Sequence, residues 1–146
     1  MLEIRAVREN EKDEWLPLWQ AYLRFYRTEL SDDITDLTWR RFNDPAEPMH
    51  LLASFKDGVM TGFAAYLIHR STWSRDGYCY LEDLFVDAQE RGRGVARALI
   101  DAVAAAARRA SCGRLYWRTE EDNTTARALY DRLARKTEYV EYQMAL

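Results

Sequence analysis

At 146 residues, with 48% of them hydrophobic and 13% aromatic, the chain is long enough to bury the core of one ordinary domain without disulfide or metal support. A net charge of −3, from 24 acidic against 21 basic residues, argues against the broad basic surface that general binding to nucleic acid or anionic lipid requires. Cys79 and Cys112 lack metal-ligand spacing, no charged and apolar leader opens the chain, and the longest apolar stretch, alanine-rich near residue 100, is interrupted by Arg and Asp. The expectation is a single domain over 1–146, cytoplasmic, with free thiols, no metal, no membrane span and no nucleic-acid partner.

In chain order, Leu2, Ile4 and Ala6 alternate with Glu3, Arg5 and Val7, which predicts a first strand before the charged turn at 9–13. Trp15, Leu18, Trp19, Tyr22, Leu23 and Tyr26 recur at helical spacing, with Pro17 near the helix start. A polar, acidic stretch over 28–33 leads into a second short helix over 34–42, stopped by Asn43-Asp44-Pro45. Residues 50–55 and 59–69 read as a hairpin around Asp57-Gly58. A third strand over 78–86, a long helix over 94–110, a strand over 114–119, a helix over 123–134 and a last strand over 139–145 complete the chain. This order predicts an α/β fold with a mixed sheet.

The strand at 78–86 runs into Asp87-Ala88-Gln89-Glu90-Arg91-Gly92-Arg93-Gly94-Val95-Ala96 and then directly into a helix. Gly92 and Gly94 allow unusual backbone angles, and no strong capping side chain stands at 91–94, so the first N–H groups of the helix are left for an anion. A pyrophosphate suits that place, drawn by free donors and the helix dipole, with Arg91, Arg93 and Arg97 around it. A Walker loop is excluded by the lack of Gly-Lys-Ser/Thr, and the dinucleotide fingerprint by Arg97 in place of its third glycine. Arg-x-x-Gly-x-Ala, from Arg91 to Ala96, resembles the acetyl-CoA pyrophosphate loop of the GNAT superfamily of N-acetyltransferases. Asn123-Thr124-Thr125-Ala126-Arg127-Ala128-Leu129-Tyr130 is similar to that family's Asn-x-x-Ala-x-x-Leu-Tyr segment, and Tyr80-Leu81-Glu82-Asp83-Leu84-Phe85-Val86 resembles the branch of diamine and thialysine acetyltransferases and their histone-acetyltransferase-like relatives. One departure is visible, since Leu133-Ala134-Arg135-Lys136-Thr137-Glu138-Tyr139 replaces the usual Gly-Phe after the tyrosine.

The resemblance implies a mixed, mostly antiparallel central sheet flanked by helices, and transfer of an acetyl group from acetyl-CoA to a primary amine. A small cationic amine, polyamine or lysine-like, is the leading acceptor. Protein lysines and amino-acid α-amines follow, and a CoA-binding sensor without turnover is the non-enzymatic alternative. Cofactor contacts are expected from Leu84, Phe85 and Val86 at the strand end, from Arg91, Gly92, Arg93, Gly94, Val95 and Ala96, and from Asn123 and Tyr130.

Only about one alkylamine in 2500 is unprotonated at neutral pH, a deficit of about 4.6 kcal/mol, so a carboxylate near the thioester would assist. Glu82 lies in a strand apolar on both faces, where burial would raise its pKa toward a useful range, and the resemblance places a general base at this position, acting directly or through a water, with a structural ion pair or an acceptor-binding carboxylate as the alternatives. Asp83 is expected on the other face in a structural role. Tyr130 is the general acid that the resemblance assigns to the departing thiolate. For the acceptor, Glu29, Asp32 and Asp33 form an acidic stretch, solvated unless a polyamine uses it, and Trp73 suits stacking on a cationic chain, ordinary packing or a homodimer contact.

Overall fold

The computed structural model describes residues 1–146. Strands β1 (Leu2–Ala6), β2 (Met49–Lys56), β3 (Val59–Arg70), β4 (Gly77–Val86) and β5 (Leu115–Tyr116) lie side by side in that order in one sheet. The first four are antiparallel to their neighbours, and β5 runs parallel to β4. Helices α1 (Lys12–Phe25) and α2 (Asp32–Phe42) cover one face; α3 (Val95–Arg109) and α4 (Thr124–Leu133) pack on the other.

The helical spacing of Trp15, Leu18 and Trp19 buries one face of α1, with Asp13 and Glu14 in its first turn and Arg24 in its last, as the helix dipole favours. Pro17 lies inside α1 but early in it. Helix α2 starts two residues before the expected boundary because Ser31 acts as N-cap, its hydroxyl accepting from the Ile34 N–H at 3.5 Å. The β2–β3 hairpin turns through Asp57 (φ 51°) and Gly58 (φ 81°), the two positive angles of a tight primed turn. On the α1 side the core is aromatic: Trp15 packs against Trp19 and Trp39 at ring-centroid distances of 5.2 and 5.1 Å, and Phe63 and Phe85 extend the cluster. On the α3 side it is aliphatic, built from Leu81, Val86, Val95, Leu99, Ile100 and Val103.

Two sequence expectations change at the C-terminal end. The strand foreseen over 114–119 pairs only through Leu115 and Tyr116, and no last strand forms over 139–145. The alternation of Val140, Tyr142 and Met144 is present, but a strand needs a partner edge, and β5 ends too early to provide one. Residues 135–146 make no backbone–backbone hydrogen bond, Arg118 forms an ion pair with Glu141, and no residue after Ala107 is buried.

The end of β4 is fixed by close backbone approach. A Cβ built on Gly62 of β3 would stand 2.6 Å from the Phe85 carbonyl oxygen and 3.2 Å from the Val86 Cα. Gly62→Ala is therefore expected to cost about 1–3 kcal/mol through overpacking, measured as a lower urea midpoint with an unchanged slope.

Candidate active site

Strand β4 is held on one edge by β3 along its whole length, from Gly77 opposite Arg70 to Val86 opposite Gly62. On its other edge β5 pairs only with Cys79 and Tyr80. Beyond Tyr80 the two parallel strands part, so from Leu81 to Val86 no strand covers that edge, and its backbone groups face the gap. A linear chain carrying amides can add to such an edge as a further strand would.

The register of β3 with β4 slips once. Ala65 lies opposite Asp83 and Tyr66 opposite Leu81, leaving Glu82 as the extra residue of a β-bulge. Strict alternation would put Leu81 and Asp83 on one face. With the bulge, Cys79 and Leu81 face α3, whereas Tyr80, Glu82 and Asp83 all line a cleft of about 560 Å³ on the α1 side. This corrects the expected arrangement in two ways. Glu82 is exposed, not buried between apolar faces, and Asp83 is the carboxylate embedded in the wall.

Asp83 Oδ1 accepts a hydrogen bond from the Tyr22 hydroxyl at 2.7 Å. Its Oδ2 has no hydrogen-bond partner and is not sealed from solvent. Burial pushes the Asp83 carboxyl up to about 7, opposed by the Tyr22 hydrogen bond and aided by the charge of Glu82. Burial, with Asp83 beside it, drives the Tyr22 phenol far above its ordinary range, so it remains a donor. Tyr26, one turn further along α1, is raised by burial and by the charges of Glu120 and Asp83. Trp19, Tyr22, Tyr26 and Tyr80 give the cleft an aromatic wall, and Arg118 and Glu120, just beyond β5, close its far side.

Val86 leads through a 3-10 turn at Ala88–Glu90 to Gly92 (φ 76°) and Gly94 (φ 81°). Gly94 is the left-handed N-cap of α3, no side chain caps the helix, and its first turn holds no acidic residue. A Cβ on Gly94 would meet nothing within 4 Å, so the space before the helix is open. The basic groups around it have protein partners. Arg91 Nε donates to the Val86 carbonyl at 3.0 Å, Lys56 and Arg93 each lie 3.4 Å from Glu90, and Arg97 pairs with Asp101 at 3.7 Å. Lys56 was absent from the sequence expectation because it arrives from β2.

Asn123 caps α4, its Oδ1 accepting from the Ala126 N–H at 3.4 Å. Tyr130 packs edge-on against Trp117 at 5.5 Å. Burial, then neighbouring Tyr26, pushes the Tyr130 phenol up to about 12. Tyr130 does not itself line the cleft, whereas its neighbour Tyr26 does. Glu29, Asp32, Asp33 and Trp73 do not line it either. Glu29 borders a separate shallow groove with Arg24 and Arg27, Asp32 and Asp33 occupy the first turn of α2, and Trp73 is 79% exposed in the β3–β4 connection. Tyr22, Arg118 and Glu120 were not foreseen, though the spacing of Tyr22 and Tyr26 on one face of α1 was a signal for the first.

A protein-family model described as the acetyltransferase (GNAT) family matches residues 6–134. The chain belongs to the GNAT acetyltransferase family. It is 32% identical over 142 residues to D-amino-acid N-acetyltransferase HPA3 of Saccharomyces cerevisiae, covering 96% of this chain and 88% of that protein. The solved structure of AAC(6')-Iy with the bisubstrate analog CoA-S-monomethyl-acetylneamine superposes with a TM-score of 0.86 at 23% identity, covering 100% of this chain and 99% of that one. Ribosomal-protein-alanine N-acetyltransferase from Brucella melitensis biovar Abortus 2308 superposes with a TM-score of 0.81 at 21% identity over 100% of both chains. These likenesses establish the mixed α/β fold. GNAT acetyltransferases use acetyl-CoA, and this chain is an acetyl-CoA-dependent N-acetyltransferase. The residues present fit that cofactor, since an uncapped helix start without acidic residues and a free strand edge lie at the two ends of one turn.

Asp83 also sets a stability expectation. Folded, it keeps its proton up to about pH 7; unfolded, it loses it near 3.9. The folded state thus binds the proton more tightly, and this group lowers stability as pH rises between those values, with no further change above. Asp83→Asn is expected to be more stable than wild type at pH 8 by on the order of 2–4 kcal/mol and nearly equal to it at pH 4, as checked by urea denaturation at both pH values.

Proposed function

We propose that the chain acetylates the primary amine of a small molecule, with the acceptor in the cleft beside Glu82 and Asp83 and the cofactor along the free edge of β4. The observation that carries this reading is the bulge, which gathers two adjacent carboxylates into an aromatic-walled cleft at the point where β4 and β5 separate. A protonated amine is drawn to such a place by charge and by the aromatic rings.

In this reading Leu84, Phe85 and Val86 present strand backbone to the pantetheine arm. The N–H groups of the turn from Arg91 to Ala96 receive the pyrophosphate, and Asn123 helps fix α4 against the cofactor. Glu82 holds the acceptor's ammonium near the thioester. Tyr130, protonated throughout the physiological range, returns a proton to the thiolate when the carbon–sulfur bond breaks.

A free amino acid is a second acceptor reading, favoured by Arg118. Arg118 lines the same cleft as the two carboxylates and is paired with Glu141, so an α-carboxylate taking the place of Glu141 and an α-ammonium would both find opposite charges. The relative at 32% identity is named a D-amino-acid N-acetyltransferase, which supports this reading. The polyamine reading loses the support of Glu29, Asp32 and Asp33, because these lie outside the cleft.

The test is a panel of polyamines, lysine, amino acids of both hands and a lysine peptide, with acetylated products identified by mass spectrometry. Small amines are expected to show the highest kcat/KM, and acetylation of the peptide alone would overturn the reading. With the best acceptor, Tyr130→Phe is expected to lower the single-turnover rate by about 10²–10⁴ and leave acetyl-CoA affinity nearly unchanged. A near-wild-type rate would remove Tyr130 from the chemistry.

A further inference from the structure

The chemistry requires the amine to shed a proton before its lone pair can attack. Glu82 is the obvious candidate by position, but it is exposed and takes part in no hydrogen bond or ion pair that would hold its carboxylate in one place. Its neighbour is different. Asp83 is anchored through Oδ1 to Tyr22, and its Oδ2 is left without a hydrogen-bond partner in a residue that lines the cleft.

We propose that Asp83, oriented by the Tyr22 hydroxyl, is the group that takes the proton from the acceptor's ammonium, while Glu82 draws that ammonium into the cleft. This rests on the small-amine reading above and assigns the proton transfer within it. A carboxylate with one oxygen fixed and the other free can gain and lose a proton without moving. Tyr22 is suited to hold it, since the phenol cannot give up its own proton near neutrality. Burial, and then the charge of Glu82 beside it, make Asp83 a stronger proton acceptor than an isolated aspartate, and its carboxyl titrates near the working pH.

The groups facing Asp83 are few. From α1 they are Tyr22 and Tyr26; from β4, Tyr80 and Glu82; from the segment beyond β5, Arg118 and Glu120. The cleft-lining residues contributed by α2, β2 and β3, such as Thr38, Met49, Ala65 and Leu67, do not titrate. Asp83 is the one carboxylate among these with a hydrogen-bonded anchor.

The step balances as follows. The ammonium gives one proton to Asp83 Oδ2, the nitrogen lone pair forms the bond to the acetyl carbon, and the carbon–sulfur bond breaks with its electron pair going to sulfur. Sulfur gains a proton from Tyr130. The second proton lost from nitrogen reloads that phenol by way of solvent, and Asp83 releases its own to solvent, so one proton is liberated per turnover.

The experiment measures kcat/KM for the best small amine from pH 5.5 to 10 for wild type, Asp83→Asn, Tyr22→Phe and Glu82→Gln, with acetyl-CoA binding and folding checked for each. Wild type is expected to rise through an inflection near pH 7 and then level off. Asp83→Asn, which keeps an acceptor for Tyr22, is expected to lose about 10²–10⁴ at pH 7 and then to climb steadily toward alkaline pH, because its rate follows the free amine.

Tyr22→Phe removes a bond that favours the ionised carboxylate and should move the inflection to higher pH. Glu82→Gln removes a like charge and should move it lower, with a higher amine KM. An Asp83→Asn profile parallel to wild type, or an inflection abolished by Glu82→Gln and kept by Asp83→Asn, would overturn the assignment. Should Asp83→Asn fail to fold, an unmoved inflection in Tyr22→Phe overturns it equally. Wild type inactive on every small amine would instead defeat the underlying reading.

Discussion

Strand β4 carries two incompatible demands, and the single extra residue at Glu82 reconciles them. Its β3 edge must stay paired to the end so that the turn before α3 is held in place, through Gly62 pressed against Phe85 and Val86 and the Asp87 N–H bonded to the Thr61 carbonyl at 2.8 Å. Its β5 edge must be released after Tyr80, because a paired edge offers no backbone groups to a ligand. The bulge keeps the first edge paired and changes the face on which successive side chains emerge. Leu81 and Leu84 thereby both reach the α3 side, and Tyr80 and Asp83 both reach the cleft.

Charge is distributed according to the same geometry. The positive end of α3 is left without acidic residues, and Lys56 and Arg93 are held nearby through Glu90, at the margin of the turn. The carboxylates that face the cleft belong to β4 and to the segment beyond β5, on the opposite side of the sheet from α3. A helix start free of acidic residues and a carboxylate-lined cleft thus lie on opposite sides of the sheet. The aromatic core beneath α1 is continuous with the cleft wall, since Trp19 stacks on Tyr22 at 5.5 Å and Tyr22 meets Phe85 edge-on at 6.1 Å. The packing that stabilises α1 also fixes the hydroxyl bonded to Asp83.

The parts of this arrangement legible in the sequence are those that leave a local mark. Gly92 and Gly94 are required by positive φ angles, and the segment around Tyr130 has apolar residues at helical spacing. The bulge leaves no such mark, because glutamate is an ordinary strand residue, and the expected alternation across 80–86 therefore assigned Glu82 and Asp83 to the wrong environments. Tyr22 and Asp83 are 61 positions apart, and only the packing of α1 on the sheet joins them. Asp32 and Asp33 have a local cause that competes with ligand binding, since acidic residues after the Ser31 cap favour the start of a helix. The C-terminal alternation read as a strand lacked a neighbour, which sequence pattern alone does not reveal.

The central claim is that the released edge of β4 and the uncapped start of α3 hold the cofactor together. Amide hydrogen exchange of the full chain with and without acetyl-CoA tests it most directly. Exchange at 84–86 and 92–97 is expected to slow on addition of the cofactor, because the N–H groups of the turn and those on the free edge of β4 gain acceptors only when it is bound. Slowing confined to other segments, with these two unchanged, would contradict it.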